Sequence, residues 1–215
     1  MDGELGVVLR VNVDENEKTA LRLYRQLGFV VHRRESVYAI PTDHATTSLE
    51  VAAVPGIDLV PADQVNERGL RELDDALRQD VPGTDGWRWE EAAFRQETFD
   101  PNYFDPATYL VAVERGGGDY IGLARVWNNP GAPRLGLIAV LPAHRRRGLA
   151  RALLAHVFAV LHERGVDEVS AEVDDTNLAS TALLASIGAR RKGGTVELRR
   201  DAPRAPMAAH TSTRG

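Results

Sequence analysis

IAVLPAHRRRGLAR, running from Ile138 to Arg151, decides how the rest of the chain is read. The apolar run Leu135 to Leu141 predicts a strand that ends at Pro142. A basic turn, His144 to Arg147, leads into Gly148, and helical periodicity begins at once. The first backbone N–H groups of a helix have no partner inside it and can point at an anion. Gly148 lets the backbone approach a bulky ligand where a Cβ would block it. Arg145, Arg146 and Arg147 bring positive charge to the same place. Strand, basic glycine turn and helix in this order predict a phosphate-binding arrangement. The plainer alternative is a solvated basic turn that only starts a helix.

Downstream of this stretch, the helix from Gly148 to Arg164 places Leu149, Leu153, Val157, Val160 and Leu161 on one side, and Gly165 ends it. Val169 to Val173 reads as the next strand. Asp174 to Asn177 offers capping side chains for a further helix that stops at Gly188. Residues 189–200 are expected to form a hairpin around Gly193 and Gly194. Upstream, Gly56 to Val60 reads as a strand. Asp63 to Leu77 has helical periodicity through Val65, Leu70, Leu73 and Leu77. Trp87 to Thr98 suggests a second helix. Tyr109 to Glu114 and Tyr120 to Trp127 suit a hairpin through Gly116 to Gly118.

The chain's first forty residues look like a copy of its end. VNVDENEKTALRLYRQLGF, Val11 to Phe29, parallels AEVDDTNLASTALLASIGA, Ala171 to Ala189. Both read strand, Asp, amphipathic helix, Gly, with the Val-Asp pair and the closing glycine equally spaced. Phe29 to His32 and Ser36 to Ile40 are expected as two short strands. Pro41 to Gly56 reads as a linker and residues 201–215 as a disordered tail.

Composition bounds the function. The chain has 215 residues and a formal net charge of −5, so the arginine turn is local and nucleic acid is not the expected partner. It has no cysteine, which excludes disulfides, thiolate metal sites and a cysteine nucleophile. The histidines are scattered and no metal is expected. No apolar run reaches the roughly 18 residues of a membrane span, and the start lacks a signal-peptide pattern. The expected location is cytoplasmic, with no membrane partner.

Arg145-x-x-Gly148-x-Ala150, after a strand ending Val-x-Pro, resembles the Q/R-x-x-G-x-G/A signature of the GCN5-related N-acetyltransferases (GNAT). The two strand–helix copies resemble the closing section of that domain, V-D-x-x-N…A-x-x-L-Y-x-x-L-G-F. The resemblance implies an α/β fold with a mixed, mostly antiparallel central sheet and helices on both faces. Residues 56–200 then look like one complete GNAT domain. Residues 1–40 look like the last part of another, joined by the 41–55 linker, as in tandem GNAT proteins of the mycothiol synthase group. A fragment of that size must pack on the full domain or on another chain, so a homodimer is one expectation.

The resemblance also assigns roles. Acetyl-CoA would be the co-substrate and a primary amine of a small molecule or peptide the acceptor. Backbone N–H groups near Ile138, Ala139 and Val140 would meet the acetyl carbonyl and the pantetheine arm. Arg145, Arg146, Arg147, Gly148, Leu149, Ala150 and Arg151 would surround the pyrophosphate. For the Arg145 and Arg151 side chains, simple solvent exposure is an equal alternative. Asn177 matches a cofactor-contacting asparagine, although its spacing equally suits a helix cap. Glu172 matches a glutamate that helps deprotonate the amine, or is a strand glutamate facing solvent. Leu184 stands where many members carry a proton-donating tyrosine, and Tyr24 holds that place in the first copy. Trp87, Trp89, Phe94, Phe99, Tyr103 and Phe104, with Asp85, Glu90, Glu91 and Asp100, either line the acceptor pocket or fill the core. The expected activity is N-acetyl transfer by direct attack. The alternative is a non-catalytic acyl-CoA-binding regulatory or scaffold module.

Overall fold

The computed structural model describes residues 8–43, 54–84, 86–129 and 131–201. The expected linker and tail fall mainly outside them, as does Asp85. Two compact units account for the described chain, residues 36–192 and residues 8–35 with 193–201.

The larger unit is an α/β sandwich built on a mixed, mostly antiparallel sheet. Its strands are β3 (Ile57–Pro61), β4 (Tyr109–Glu114), β5 (Tyr120–Trp127), β6 (Arg134–Val140) and β7 (Glu168–Asp174), hydrogen-bonded in that order. Beyond β7 lies β2 (Val30–Pro41), whose second half belongs to this unit. The β3–β4, β4–β5 and β5–β6 ladders are antiparallel and β6–β7 is parallel. The helices are α2 (Glu67–Arg78), α3 (Glu91–Thr98), α4 (Leu149–Glu163) and α5 (Leu178–Ser186).

Alternation along the strands divides the core into two layers. Leu110 and Ala112 of β4 and Ala124 and Val126 of β5 pack with Leu149, Leu153, Val157 and Phe158 of α4. Tyr109, Val111 and Leu123 pack on the other face with Leu70, Leu73 and Leu77 of α2 and Phe94 of α3. Helix α4 is buried almost all round, which suits a sequence as apolar as LARALLAHVFAVLHE. Phe158 is fully buried, and burying such a ring contributes about 1.5–3 kcal/mol.

One irregularity positions the site. Val126 pairs with Leu135 and Arg125 with Leu137, so Gly136 is an extra residue in β6. This bulge reverses the alternation: Leu135 packs on the α4 side and Leu137 on the α2 side. It also coincides with the end of the β6–β7 ladder, which comprises only Arg134 with Ser170 and Leu135 with Ala171. From Gly136 onward the β7-facing edge of β6 lies outside any ladder with β7.

The smaller unit holds β1 (Val8–Asp14), α1 (Lys18–Gln26), the first half of β2 and most of β8 (Arg190–Asp201), with strand order β1-β8-β2. Val13, Leu21, Val196 and Leu198 form its core. The copies recognised in the sequence recur as elements. β1, α1 and β2 match β7, α5 and β8 in length, at one constant sequence interval. Their turns match as well. Asp14 Oδ1 accepts from Asn16 N at 2.8 Å, and Asp174 Oδ1 accepts from Thr176 N at 2.8 Å.

Three expectations are corrected here. Residues 29–40 are not two strands: β2 is continuous from Val30 to Pro41. There is no hairpin at Gly193 and Gly194, because β8 runs unbroken from Arg190 to Asp201. A strand with a neighbour on each side is held extended whatever its local turn propensity. Gly194 O accepts from Glu15 N, and Thr195 pairs with Asp14. Finally, α3 starts only at Glu91. The segment Trp87 to Glu90 before it is not helical, with Trp89 N bonded to Asp75.

Candidate functional site

A cavity of about 600 Å³ opens where β6 leaves β7. Four parts of the chain wall it. Ile138, Ala139 and Val140 supply the unladdered end of β6. The turn and first residues of α4 supply Arg145, Arg146, Gly148, Leu149, Ala150 and Arg151. Helix α5 supplies Asn177, Ala179, Ser180, Ala182, Leu183 and Ser186, while Leu77, Asp80 and Val81 close the side at the end of α2. The structure therefore brings together every residue expected around the cofactor except Arg147.

The turn has the backbone that its glycine foretold. Gly148 sits at φ +81, and a Cβ built on it would meet nothing within 4 Å. The space above it is a cradle, and the left-handed φ favours glycine. Arg146 is also left-handed, at φ 64, a conformation that costs a non-glycine residue about 1 kcal/mol. Leu149 and Ala150 open the first turn of a 15-residue helix, where backbone N–H groups have no acceptor inside the helix. The turn thus brings a helix N-terminus, the positive end of the helix dipole, to the wall of the cavity.

Its arginines do different things. Arg145 Nε donates to Val140 O at 2.8 Å, and its Nη2 pairs with Asp80. That side chain braces the turn against the end of β6 and the end of α2. Arg147 reaches His144, with Nη1 3.4 Å from Nδ1, and does not line the cavity. Asn177 caps α5, its Oδ1 accepting from Ser180 N at 3.0 Å, and the residue also lines the cavity.

Glu172 lies outside the cavity with its side chain 52% exposed, 4.0 Å from Arg134. It directly follows Ala171, the last β7 residue paired to β6, so it stands at the fork between the two strands. Leu184 is buried in the α4-side core. None of the aromatics named from the sequence lines the cavity. Phe94 is fully buried, Trp89, Phe99 and Phe104 pack around it, and Trp87 and Tyr103 are exposed. Glu90 caps α3 and Asp100 accepts from Asn102 N.

Sequence reading missed Leu77, Asp80 and Val81 at the end of α2 and Ala179, Ser180, Ala182, Leu183 and Ser186 of α5, which line the cavity. It also missed a buried polar group under Trp89. Asp74 is 0% and Arg125 3% exposed. The signal was present, since an arginine interrupts the apolar strand YIGLARVW. Among the described residues no group of His, Asp and Glu could hold a metal ion. No described helix is long and apolar enough to cross a membrane.

Comparison with known proteins bears on this geometry. The model of the Acetyltransferase (GNAT) family matches residues 70–189. A mycothiol acetyltransferase of Salinispora arenicola is 36% identical over 119 residues, covering 53% of this chain and 38% of that protein. A ribosomal protein bS18-alanine N-acetyltransferase of Escherichia coli is 47% identical over 51 residues, 24% of this chain and 34% of its own length. The chain thus spans well under half the length of these relatives. Among solved structures, a GCN5-related N-acetyltransferase from Sphaerobacter thermophilus superposes with a TM-score of 0.74 at 26% identity, over 92% of this chain and 61% of that one. A tandem GNAT protein from the clavulanic acid biosynthesis pathway gives 0.68 at 18% identity, over 92% and 65%, and shares the fold.

Proposed function

We propose, since this chain belongs to the acetyltransferase (GNAT) family, that it transfers the acetyl group of acetyl-CoA to a primary amine of a small molecule or peptide. The observation that carries this reading is the meeting of the open β6 edge with the glycine turn in one cavity. A thioester with a pyrophosphate-bearing arm needs both. It needs an anion cradle at one end and backbone donors for a carbonyl at the other.

The residues fit such a co-substrate. The empty space above Gly148 and the first turn of α4 suit the pyrophosphate, through main-chain donors. Leu149 through Arg151 and the left-handed Arg146 place those donors. Ala179, Ala182 and Leu183 offer a small, apolar wall for the pantetheine arm. The edge of β6 from Ile138 to Val140 would hold the acetyl carbonyl. As the amine nitrogen attacks, negative charge grows on that oxygen, and fixed N–H donors stabilise it without reorganising. The C–S bond then breaks and the thiolate departs.

Protons must also move. The attacking amine has to be neutral and loses a proton on bond formation. Glu172, at the mouth of the fork, is the carboxylate assigned to receive it, through water. No side-chain donor is assigned to the leaving thiolate. Thiols have pKa values of about 8.5, so departure as thiolate is chemically feasible.

The recurring β1–α1–β2 elements are read as part of a second GNAT-like copy, giving one acetyl-CoA site. A second functional reading, an acyl-CoA-binding module without turnover, is favoured by the partial first copy and by Leu184, which puts an apolar side chain where a proton donor would stand. Release of free CoA from acetyl-CoA against a panel of amines separates the two, with Gly148→Trp as control. Acceptor-dependent release that the variant loses supports transfer. Calorimetric acetyl-CoA binding without release, abolished in the variant, supports the binding module. Absence of both overturns the acetyl-CoA reading.

A further inference from the structure

The two copies differ in what covers them. β1 and α1 align with β7 and α5 position for position, Val8 with Glu168 and Lys18 with Leu178. Leu9 is thus the counterpart of Val169, and Leu27 of Ile187. Val169 and Ile187 are 0% and 3% exposed, packed in the core that holds α4. Leu9 and Leu27 are 42% and 49% exposed. Leu23 is 51% exposed, whereas its counterpart Leu183 packs against the same core as Ile187. The first copy therefore keeps the apolar pattern and lacks its cover among the described residues. A contiguous apolar patch of this kind marks a contact surface.

In the second copy the cover is a strand and a helix. β6 pairs with β7, and α4 follows β6. β1 ends the strand order β1-β8-β2, so no described strand lies on its outer edge. Such an edge presents a row of backbone groups ready to pair. Their direction follows from one bond. Glu15 N donates to Gly194 O, and in an antiparallel ladder every second residue bonds the same neighbour. Val13, Val11 and Leu9 therefore turn their N–H and C=O groups toward β8. Val8, Arg10, Asn12 and Asp14 turn theirs outward.

A second copy fits this edge by symmetry. Two identical strands related by a two-fold axis pair antiparallel, and the outward groups meet when the axis falls at Arg10, Val11 or Asn12. At Arg10 the axis would set arginine against arginine, which is destabilising. At Val11 it would set Asp14 against Val8. At Asn12 it sets Arg10 of each copy opposite Asp14 of the other, and Val11 opposite Val13, so charge and apolar contact are both complementary. The two α1 helices then lie antiparallel on one side of the joined sheet. Leu23 and Leu27 of each face the seam, as Leu183 and Ile187 face the core with α4.

We propose that the outer edge of β1, with Leu9, and the Leu23 and Leu27 stripe of α1 form a dimer interface with a second copy of this chain. The two β1 strands pair antiparallel about Asn12. Every residue involved belongs to the smaller unit, so the interface stands or falls independently of the transfer reading.

The chain has no cysteine, so a single introduced one reports the contact. Asn12→Cys places two thiols across the axis in a hydrogen-bonded pair, where a Cα spacing of about 5.5 Å suits a disulfide. Mild oxidation should cross-link it, and Arg68→Cys, at an exposed position of α2, should stay uncross-linked. Sedimentation equilibrium of the parent should give twice the 23.5 kDa of the chain. Asn12→Pro removes one outward N–H from an edge strand, where proline is tolerated. Leu23→Glu puts a charge on the apolar stripe. Each should weaken dimerisation at least tenfold with the far-UV circular dichroism unchanged. If Asn12→Pro misfolds, Leu23→Glu decides. A single-chain mass at every concentration overturns the interface. So does a dimer that Leu23→Glu leaves intact, or one that Asn12→Cys fails to cross-link.

Discussion

Trp127 lies directly over Gly136: a Cβ on that glycine would come within 2.4 Å of the indole Nε1. Gly136 is also the extra residue of the β6 bulge, where the ladder with β7 stops. One contact thus couples a packed ring to the opening of the cavity. Gly136→Ala should destabilise the protein by about 1–3 kcal/mol, the usual cost of overpacking. It should also weaken acetyl-CoA binding, because the indole or the strand must shift. Urea denaturation and calorimetry measure the two effects. Unchanged values of both would show that the bulge does not depend on this contact.

Gly148 is the opposite case, with open space and a constrained φ. Gly148→Ala should cost about 1 kcal/mol through its left-handed backbone and leave some acetyl-CoA binding. Gly148→Trp should abolish binding by filling the cradle. Comparing the two variants by calorimetry separates backbone strain from occlusion.

Asp80 places a carboxylate in a cavity assigned to an anion and holds Arg145 beside it. Both side chains are about half exposed, so Asp80→Asn should change stability by less than about 1 kcal/mol. It should tighten acetyl-CoA binding several-fold by removing like charge and freeing Arg145, and added salt should shrink the gain. Weaker binding would mean that Arg145 matters as a brace for the turn.

Asp74 carries the buried network. Asp74→Ala strips the partner from Arg78 and Trp89 and leaves Arg125 buried without its counter-charge. Loss of one member of a buried pair costs about 3–5 kcal/mol. The melting midpoint should drop sharply, and a drop under a few degrees would argue that water reaches Arg125.

Alkaline pH tests the same network. Burial pushes the Tyr109 phenol up from 10.0 to about 12; Asp74 adds to the rise, and Arg125 and Arg78 oppose it. The folded state holds this proton more tightly than the unfolded chain. Its contribution is therefore full below pH 10 and is lost as pH rises from 10 through about 12. Urea titrations across that window should show stability falling with a slope of at most about 1.4 kcal/mol per pH unit from this phenol. Tyr109→Phe should flatten that part of the fall, and an identical slope in the variant would sink the assignment.

Much of the local structure was legible because short-range rules set it. Gly148 ends a basic turn and starts α4, and the periodicity of α4 and the run before Pro142 named helix and strand. Gly28 and Gly188 closed matching helices, and the copies could be aligned residue by residue. The expected hairpin at Gly193 and Gly194 failed because strand pairing outweighs turn propensity. The aromatics stayed open between core and pocket for a related reason: composition cannot tell a core ring from a pocket ring, and packing put Trp89, Phe94, Phe99 and Phe104 in the core.

By itself the sequence determined most of the elements, the glycine turn that starts α4 and the family, since each depends on residues close together or on a fixed spacing. Only the tertiary structure decided that Gly136 is a bulge, that β6 parts from β7 after Leu135, that Asp80 braces Arg145, and that Arg125 faces Asp74 beneath Trp89. Those relationships join residues far apart in the chain. They arise from register and packing, which balance many weak contacts at once and leave no local signature.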